Sequence, residues 1–226
     1  MFRKALPVLA SAALSLFSLA AEPLDPAGRT EQLRVACVGD SITQGSGAES
    51  GKSYPAQLQA LLGDQWKVGN FGVSGRTLLR KGDHPYWKEK AYQDALAFKP
   101  DAVIIMLGTN DTKPHNFKHE REFATDYADL VDSFLKLESK PRVYVCRPCP
   151  VPDPGNFGIN DKNLRVYIRR VDRLAKEKNL EIIDMHAALA DKPELLPDRV
   201  HPNTAGAGEM AKAAHLALTG KPAQPK

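Results

Sequence analysis

Four short blocks of this chain carry side chains suited to acyl transfer: Gly39-Asp40-Ser41-Ile42, Asn70-Phe71-Gly72, Gly108-Thr109-Asn110-Asp111 and Asp198-Arg199-Val200-His201. Serine is a weak nucleophile until a base removes its proton. His201 is a candidate base, because imidazole exchanges a proton near neutral pH. Asp198, three residues earlier, can accept from the other ring nitrogen and fix the tautomer. A tetrahedral intermediate also needs donors at its oxyanion. The Ser41 amide, the Gly72 amide, which no side chain screens, and the Asn110 side chain are the candidates. Asp40 reads first as a hydrogen-bond acceptor within its turn and, with Thr109 and Trp87, as a candidate contact for substrate. Ser74 reads as turn chemistry and Asp111 as a brace for its loop.

For these blocks to meet, strands must end beside one another. Leu33 to Val38 reads as a first strand, Trp66 to Phe71 as a second, and Asp101 to Leu107 as a third. The third contains the run Ala-Val-Ile-Ile-Met-Leu, which a strand buried on both faces requires. Arg142 to Cys146 and Glu181 to Asp184 complete five. Between them fall helical stretches at Tyr54 to Leu62, with Ser53 as cap and Pro55 in the first turn, then up to about Phe98, at Glu122 to Leu137 and at Leu164 to Lys178. A last helix runs from about Ala205 to Leu218. Strand and helix alternate, so the expected fold is α/β: a three-layer α/β/α sandwich around a central five-stranded parallel sheet. Each of the four blocks then follows a strand or precedes the last helix, on the side where open parallel sheets bind ligands.

Other motifs compete less well. Gly47-Ala48-Glu49-Ser50-Gly51-Lys52-Ser53 resembles a phosphate loop, but that motif needs four residues between its glycines, and neither Gly45 nor Gly47 gives that spacing. No Gly-x-Ser-x-Gly occurs, so the nucleophile elbow of the α/β-hydrolases is absent. His115 and His119 have metal-ligand spacing, but Asn116 stands where the zinc-protease pattern has glutamate. No metal site is expected. His84, His186 and His215 read as surface or packing residues. Cys37 reads as a small buried hydrophobe, and Cys146 and Cys149 as a local disulfide or two inert thiols.

Residues 1–20 have the composition of a secretory leader: Met1-Phe2-Arg3-Lys4 is positive, Ala5 to Leu19 is apolar or small, and Ser18-Leu19-Ala20 suits a signal peptidase. The expectation is a secreted or periplasmic protein with no stable membrane insertion after removal of the leader. A linker over 21–32, one domain over 33–219 and a flexible tail over 220–226 would follow. Loss of Arg3 and Lys4 leaves 29 basic residues against 27 acidic, no footprint for nucleic acid.

Taken together, the blocks resemble the SGNH (or GDSL) hydrolase family of serine esterases and lipases. Gly39-Asp40-Ser41-Ile42 carries isoleucine where the family name has leucine. Gly72, Gly108-Thr109-Asn110-Asp111 and Asp198-to-His201 match the other blocks, and the likeness spans about Leu33 to Leu218. Within the family, Ser53-Tyr54-Pro55-Ala56-Gln57-Leu58 and Phe157-Gly158-Ile159-Asn160-Asp161 are similar to exported bacterial carbohydrate esterases of the sialate O-acetylesterase-like type. The resemblance implies a flavodoxin-like fold and ester hydrolysis with no cofactor. The expected substrate is a small-molecule or polysaccharide ester, O-acetylated carbohydrate first. A lysophospholipase or thioesterase acting on longer chains is the alternative, and a catalytically silent carbohydrate-binding domain a further one. Trp87 and the Pro154 to Gly158 loop are candidate stacking surfaces for a sugar.

Overall fold

The computed structural model describes residues 22–224; the expected leader lies outside them. In chain order the elements are β1 (Leu33–Gly39), α1 (Ser41–Gln44), α2 (Tyr54–Leu62), β2 (Trp66–Gly72), α3 (Lys90–Ala97), β3 (Ala102–Met106), α4 (Pro114–Phe117), α5 (Phe123–Leu135), β4 (Arg142–Arg147), α6 (Asp161–Lys178), β5 (Glu181–Asp184), α7 (Met185–Leu189) and α8 (Thr204–Thr219), with short 3-10 turns between some of them. The strands form one parallel sheet in the order β2-β1-β3-β4-β5. This is the doubly wound order whose winding reverses between β1 and β3.

Alternation along each strand builds two cores. On β1, Leu33, Val35 and Cys37 face the layer of α2, α7 and α8, where Leu58, Leu189, Met210 and Leu218 are buried. Ala36 and Val38 face the layer of α3, α5 and α6, against Tyr92, Tyr127, Phe134 and Val171. All five residues of β3 are buried, as its unbroken apolar run requires. The register sets Gly39 level with Gly72 on one side and Met106 on the other. The chain therefore leaves β1, β2 and β3 along a common crest.

The expected five-stranded α/β/α sandwich is the observed fold, with differences at element ends. α6 begins at Asp161, three residues before the expected Leu164, because the Asn160 side chain accepts from the Asn163 amide at 3.0 Å and caps the first turn. α5 stops at Leu135. Helices α1, α4 and α7 are too short to show a period in sequence; α7 is announced only by Asp184, which caps it through the Ala187 amide at 2.8 Å. Residues 22–32 lie along the body of the fold: the Leu24 amide donates to the Leu218 carbonyl at 2.9 Å, and Leu24 packs on the core beneath α8. Among the described residues no helix is long and apolar enough to cross a membrane.

Candidate active site

β1 ends at Gly39, and Asp40 caps the single turn of α1 by accepting from the Ile42 amide at 3.0 Å. That cap places Ser41 at the first helical position, where a backbone N–H has no acceptor within the helix. The Ser41 amide is therefore available to a ligand, beside the point where the sheet's winding reverses. Ser41 is only 5% exposed, so its hydroxyl sits at the floor of the site.

The loop before α8 brings the partner groups. Ser41 Oγ lies 2.9 Å from His201 Nε2, and His201 Nδ1 lies 2.6 Å from Asp198 Oδ2. The three side chains join residues 160 positions apart into one hydrogen-bonded line. Asp198 is itself fixed: its Oδ1 accepts from the amides of His201 at 2.7 Å and Val200 at 2.9 Å. The turn that permits this puts Arg199 at φ +67°, a left-handed conformation that costs a non-glycine residue energy. Partial burial opposes the charge on Asp198. The backbone amide and imidazole of His201, with the Val200 amide, outweigh it and hold the carboxyl below the usual range. It is the ionised acceptor that a tautomer-fixing group must be.

The oxyanion donors expected from sequence need one correction. Asn110 follows β3, and its Nδ2 donates to the Arg76 carbonyl at 3.1 Å and, more loosely, to Asp40 Oδ2 at 3.4 Å. The second, long bond is the one an oxyanion can replace. Gly72 serves differently. Its N–H donates to Asn70 Oδ1 at 3.0 Å, and a Cβ there would lie 2.2 Å from the Gln44 nitrogen and 2.7 Å from the Thr43 carbonyl carbon. Gly72 is small because β2 packs on the backbone of α1, and its amide is already engaged. Gly75, three residues on, has φ +79° and open space around its Cβ direction. It immediately precedes Arg76, whose carbonyl meets Asn110. Both glycines lack a side chain, and only the bond that Gly72 makes to Asn70 tells them apart.

Asp40 and Thr109 are also corrected from candidate substrate contacts to parts of the frame. Asp40 is 1% exposed and Thr109 2%. The Thr109 carbonyl accepts from Thr112 Oγ1 at 2.7 Å and closes the turn that carries Asn110. Trp87 is committed to packing: its N–H donates to the Leu78 carbonyl at 2.8 Å, the Arg80 guanidinium lies 3.9 Å over its ring, and its ring meets Tyr92 edge-on. Asp111 is buried and braces a different loop from the expected one, accepting from the amides of Leu78 at 3.0 Å and Leu79 at 2.7 Å.

Three residues to which the sequence alone assigns no role at the site support it. Asn70 donates to the Thr43 carbonyl at 2.9 Å and so ties β2 to α1. Its signal was its position at the end of a strand, which its side chain could not be read to extend. Asn156 donates to the Asp198 carbonyl at 3.1 Å. Gly47, in the loop that only resembles a phosphate loop, lies so close to the His201 segment that a Cβ would stand 2.7 Å from the Pro202 carbonyl oxygen and 2.8 Å from His201 Cβ. His115, one of the two histidines with metal-ligand spacing, is engaged elsewhere. His115 Nε2 lies 2.8 Å from Asp83 Oδ2. The three cysteines are free and buried, and burial pushes the Cys37 thiol up to about 12 and Cys146 and Cys149 upward as well. Cys146 and Cys149 are thus the inert thiols of the two alternatives.

Known proteins resemble this chain in sequence and in fold. An acetylxylan esterase of Xylanibacter ruminicola is 42% identical over 214 residues, covering 85% of this chain and 44% of its own length, so the chain spans less than half of that relative. An acetylxylan esterase of Geobacillus stearothermophilus is 31% identical over 201 residues, covering 78% of this chain and 89% of its own. Among solved structures, a carbohydrate acetylesterase from Sinorhizobium meliloti shares the fold at a TM-score of 0.68 and 24% identity, covering 81% of this chain and 97% of its own. The model of the GDSL-like lipase/acylhydrolase family matches residues 37–208, which takes in Ser41, Asn110, Asp198 and His201. The chain belongs to the GDSL-like lipase/acylhydrolase family.

Proposed function

We propose that the protein is a serine esterase that removes O-acetyl groups from carbohydrate. The observation that carries the catalytic part is the line Ser41 Oγ–His201 Nε2–Asp198, with separations of 2.9 and 2.6 Å. Ser41 attacks the acyl carbonyl while His201 Nε2 takes its proton, and Asp198 steadies the imidazolium that forms. The oxyanion is met by the Ser41 amide and Asn110 Nδ2, with the Gly75 amide in the adjoining turn as third donor. As the intermediate collapses, His201 gives the proton to the leaving alcohol oxygen and an acyl-Ser41 remains. The same histidine then takes a proton from water, which attacks the acyl carbon, and acetate leaves with Ser41 restored. No step calls on a metal or an organic cofactor.

The carbohydrate part rests on the two acetylxylan esterases that this chain resembles over most of its length. The leader-like run in residues 1–20 fits an enzyme that meets polysaccharide in the periplasm or outside the cell. The test is hydrolysis of acetylated xylo-oligosaccharides, and of 4-nitrophenyl esters from acetate to octanoate, by the wild type and Ser41→Ala. The expected result is a preference for acetyl, with a loss on the order of 10⁶-fold in the variant, as when a serine protease loses its nucleophile. Retention of turnover by Ser41→Ala would end the mechanism. Rates that climb with acyl length would move the substrate to lysophospholipids or thioesters. Binding of the oligosaccharide without hydrolysis of any ester would leave a binding domain.

A further inference from the structure

Among the large hydrophobic side chains of the described residues, Phe157 is the most exposed at 57%, and it stands beside the reacting groups. Its ring centroid is 5.8 Å from that of His201, tilted by 52°. Leu135 and Leu216, the other exposed large hydrophobics among the described residues, lie on α5 and at the end of α8. An isolated exposed apolar side chain needs no explanation. This one is held in place at a cost.

Phe157 has φ +53°, in the left-handed region that an aromatic residue enters only when its surroundings enforce it. The enforcement is visible. The Phe157 amide donates to Asn156 Oδ1 at 2.8 Å, and the Ile159 amide donates to the Asn156 carbonyl at 2.7 Å. Asn156 Nδ2 reaches the Asp198 carbonyl at 3.1 Å, so the loop is joined to the turn that holds the histidine. Ile159 anchors the far side in a small core with Val151, Leu164 and Val200. Gly158, the next position, also has a positive φ, so the two central residues of the Asn156–Ile159 turn are both left-handed and the first of them is an aromatic residue. A solvent-facing benzyl group on a strained, hydrogen-bonded frame suits a function outside the fold's own packing.

We propose that Phe157 is the platform on which the leaving sugar stacks while His201 protonates its oxygen. The proposal rests on the carbohydrate esterase reading given above. Its side of the site follows from the chemistry: the group next to His201 Nε2 in the second half of acylation is the alcohol, not the acyl chain. A pyranose presents a face of C–H bonds, and the ring offers an apolar face with a negative quadrupole that receives them. An acetyl group is too small to need such a surface. Phe157 therefore selects the alcohol and leaves the acyl preference unchanged.

The experiment compares kcat/KM for acetylated xylo-oligosaccharides with that for ethyl acetate, whose ethanol is too small to stack, in wild type and in Phe157→Ala, Phe157→Trp and Phe157→Gly. The expected result for Phe157→Ala is a loss of about tenfold on the oligosaccharide, within the range of aromatic contacts, and a change of less than twofold on ethyl acetate. Phe157→Trp keeps the oligosaccharide rate. Phe157→Gly loses that rate while its Tm holds or rises, because glycine tolerates the left-handed φ. An unchanged ratio of the two substrates in Phe157→Ala overturns the platform. Equal losses on both substrates overturn it too, and make Phe157 a positioning residue for His201. A wild type that cleaves ethyl acetate but no acetylated sugar removes the carbohydrate reading itself, and the platform with it.

Discussion

Asp198, Asp40 and Asp111 are one residue type in two states of solvation, one partly exposed and two buried, and those states assign their roles. Asp198 is partly exposed and accepts from two amides and an imidazole, so it stays ionised and holds Nδ1–H of His201 toward itself. Asp198→Asn tests that role selectively. The asparagine oxygen can still accept from the Val200 and His201 amides, so the turn survives. Its NH₂ then faces Nδ1, which must become an acceptor; Nε2 carries the proton and cannot take one from Ser41. The expected loss in kcat/KM is on the order of 10⁴-fold, as for the same change in a serine protease, with a Tm near that of wild type. A loss below tenfold in the acetate-ester assay would demote Asp198 to a turn brace. The carbonyls of Ser41 and Asn110 already accept from the Gly45 amide and the Asn116 side chain, and Asn110 Nδ2 donates to the Arg76 carbonyl, so the site's geometry exists before substrate arrives.

At the scale of elements, the site depends on two segments that must stay in contact: the loop from α1 to α2 and the loop that precedes α8. Gly47 is the point of closest approach, at φ +90°, and the Glu49 amide donates to Thr204 Oγ1 at 3.0 Å beside it. Gly47→Val places a branched side chain where the Pro202 carbonyl and His201 Cβ now stand. The His201 segment must move outward, and a displacement of about 1 Å at a catalytic group costs on the order of 100-fold. We expect kcat to fall by about 10- to 100-fold with KM little changed, as stopped-flow or steady-state ester hydrolysis would show; an unchanged kcat would mean that the loop yields instead. This contact was not legible in the sequence. The glycine was visible, but its neighbour lies more than 150 residues away, and local spacing suggested only a failed phosphate loop. By contrast, β3 and α2 were readable, because an unbroken apolar run and a Ser-x-Pro start are local signals. The line Ser41–His201–Asp198 was readable because each member's chemistry demands the others. Gly72 was misread for the opposite reason: a missing side chain suits both a free amide and a tight packing contact, and only the Asn70 bond separates them. The loop that carries Phe157 was legible as a candidate sugar surface, but its strained φ and its place beside His201 belong to the fold and not to the letter.

For the molecule as a whole, the two buried carboxylates that frame the site set how stability varies with pH. Burial pushes Asp40 up to about 6 and Asp111 up to about 7, against the opposing pull of the amides they accept from. An unfolded chain releases both protons near pH 3.9. Between about pH 4 and 7 the native state therefore holds protons that the unfolded state has lost, and stability falls as pH rises through this window. Asp198, Asp83 and Glu209 are held below their ordinary values, so their contribution is lost only as pH drops below that window. The stability maximum should lie near pH 4 to 5, with a decline on the order of a few kcal/mol toward pH 7.5. Urea midpoints measured at pH 4.5, 6 and 7.5 would show it; a midpoint that holds level or rises toward pH 7.5 would refute the assignment. Asp111→Asn should lower the midpoint throughout, since one of the Leu78 and Leu79 amides loses its acceptor, yet flatten its dependence on pH. Catalysis runs the other way, because the base must be a neutral imidazole and the orienting carboxylate must be ionised. Above about pH 5 the protein would then lose stability as it gains activity. The cause is local: Asp40 must lie beneath Ser41 to cap α1, and Asp111 must tie the Leu78–Leu79 segment to the end of β3, so neither charge can be moved to water without releasing the elements that hold the nucleophile and Asn110.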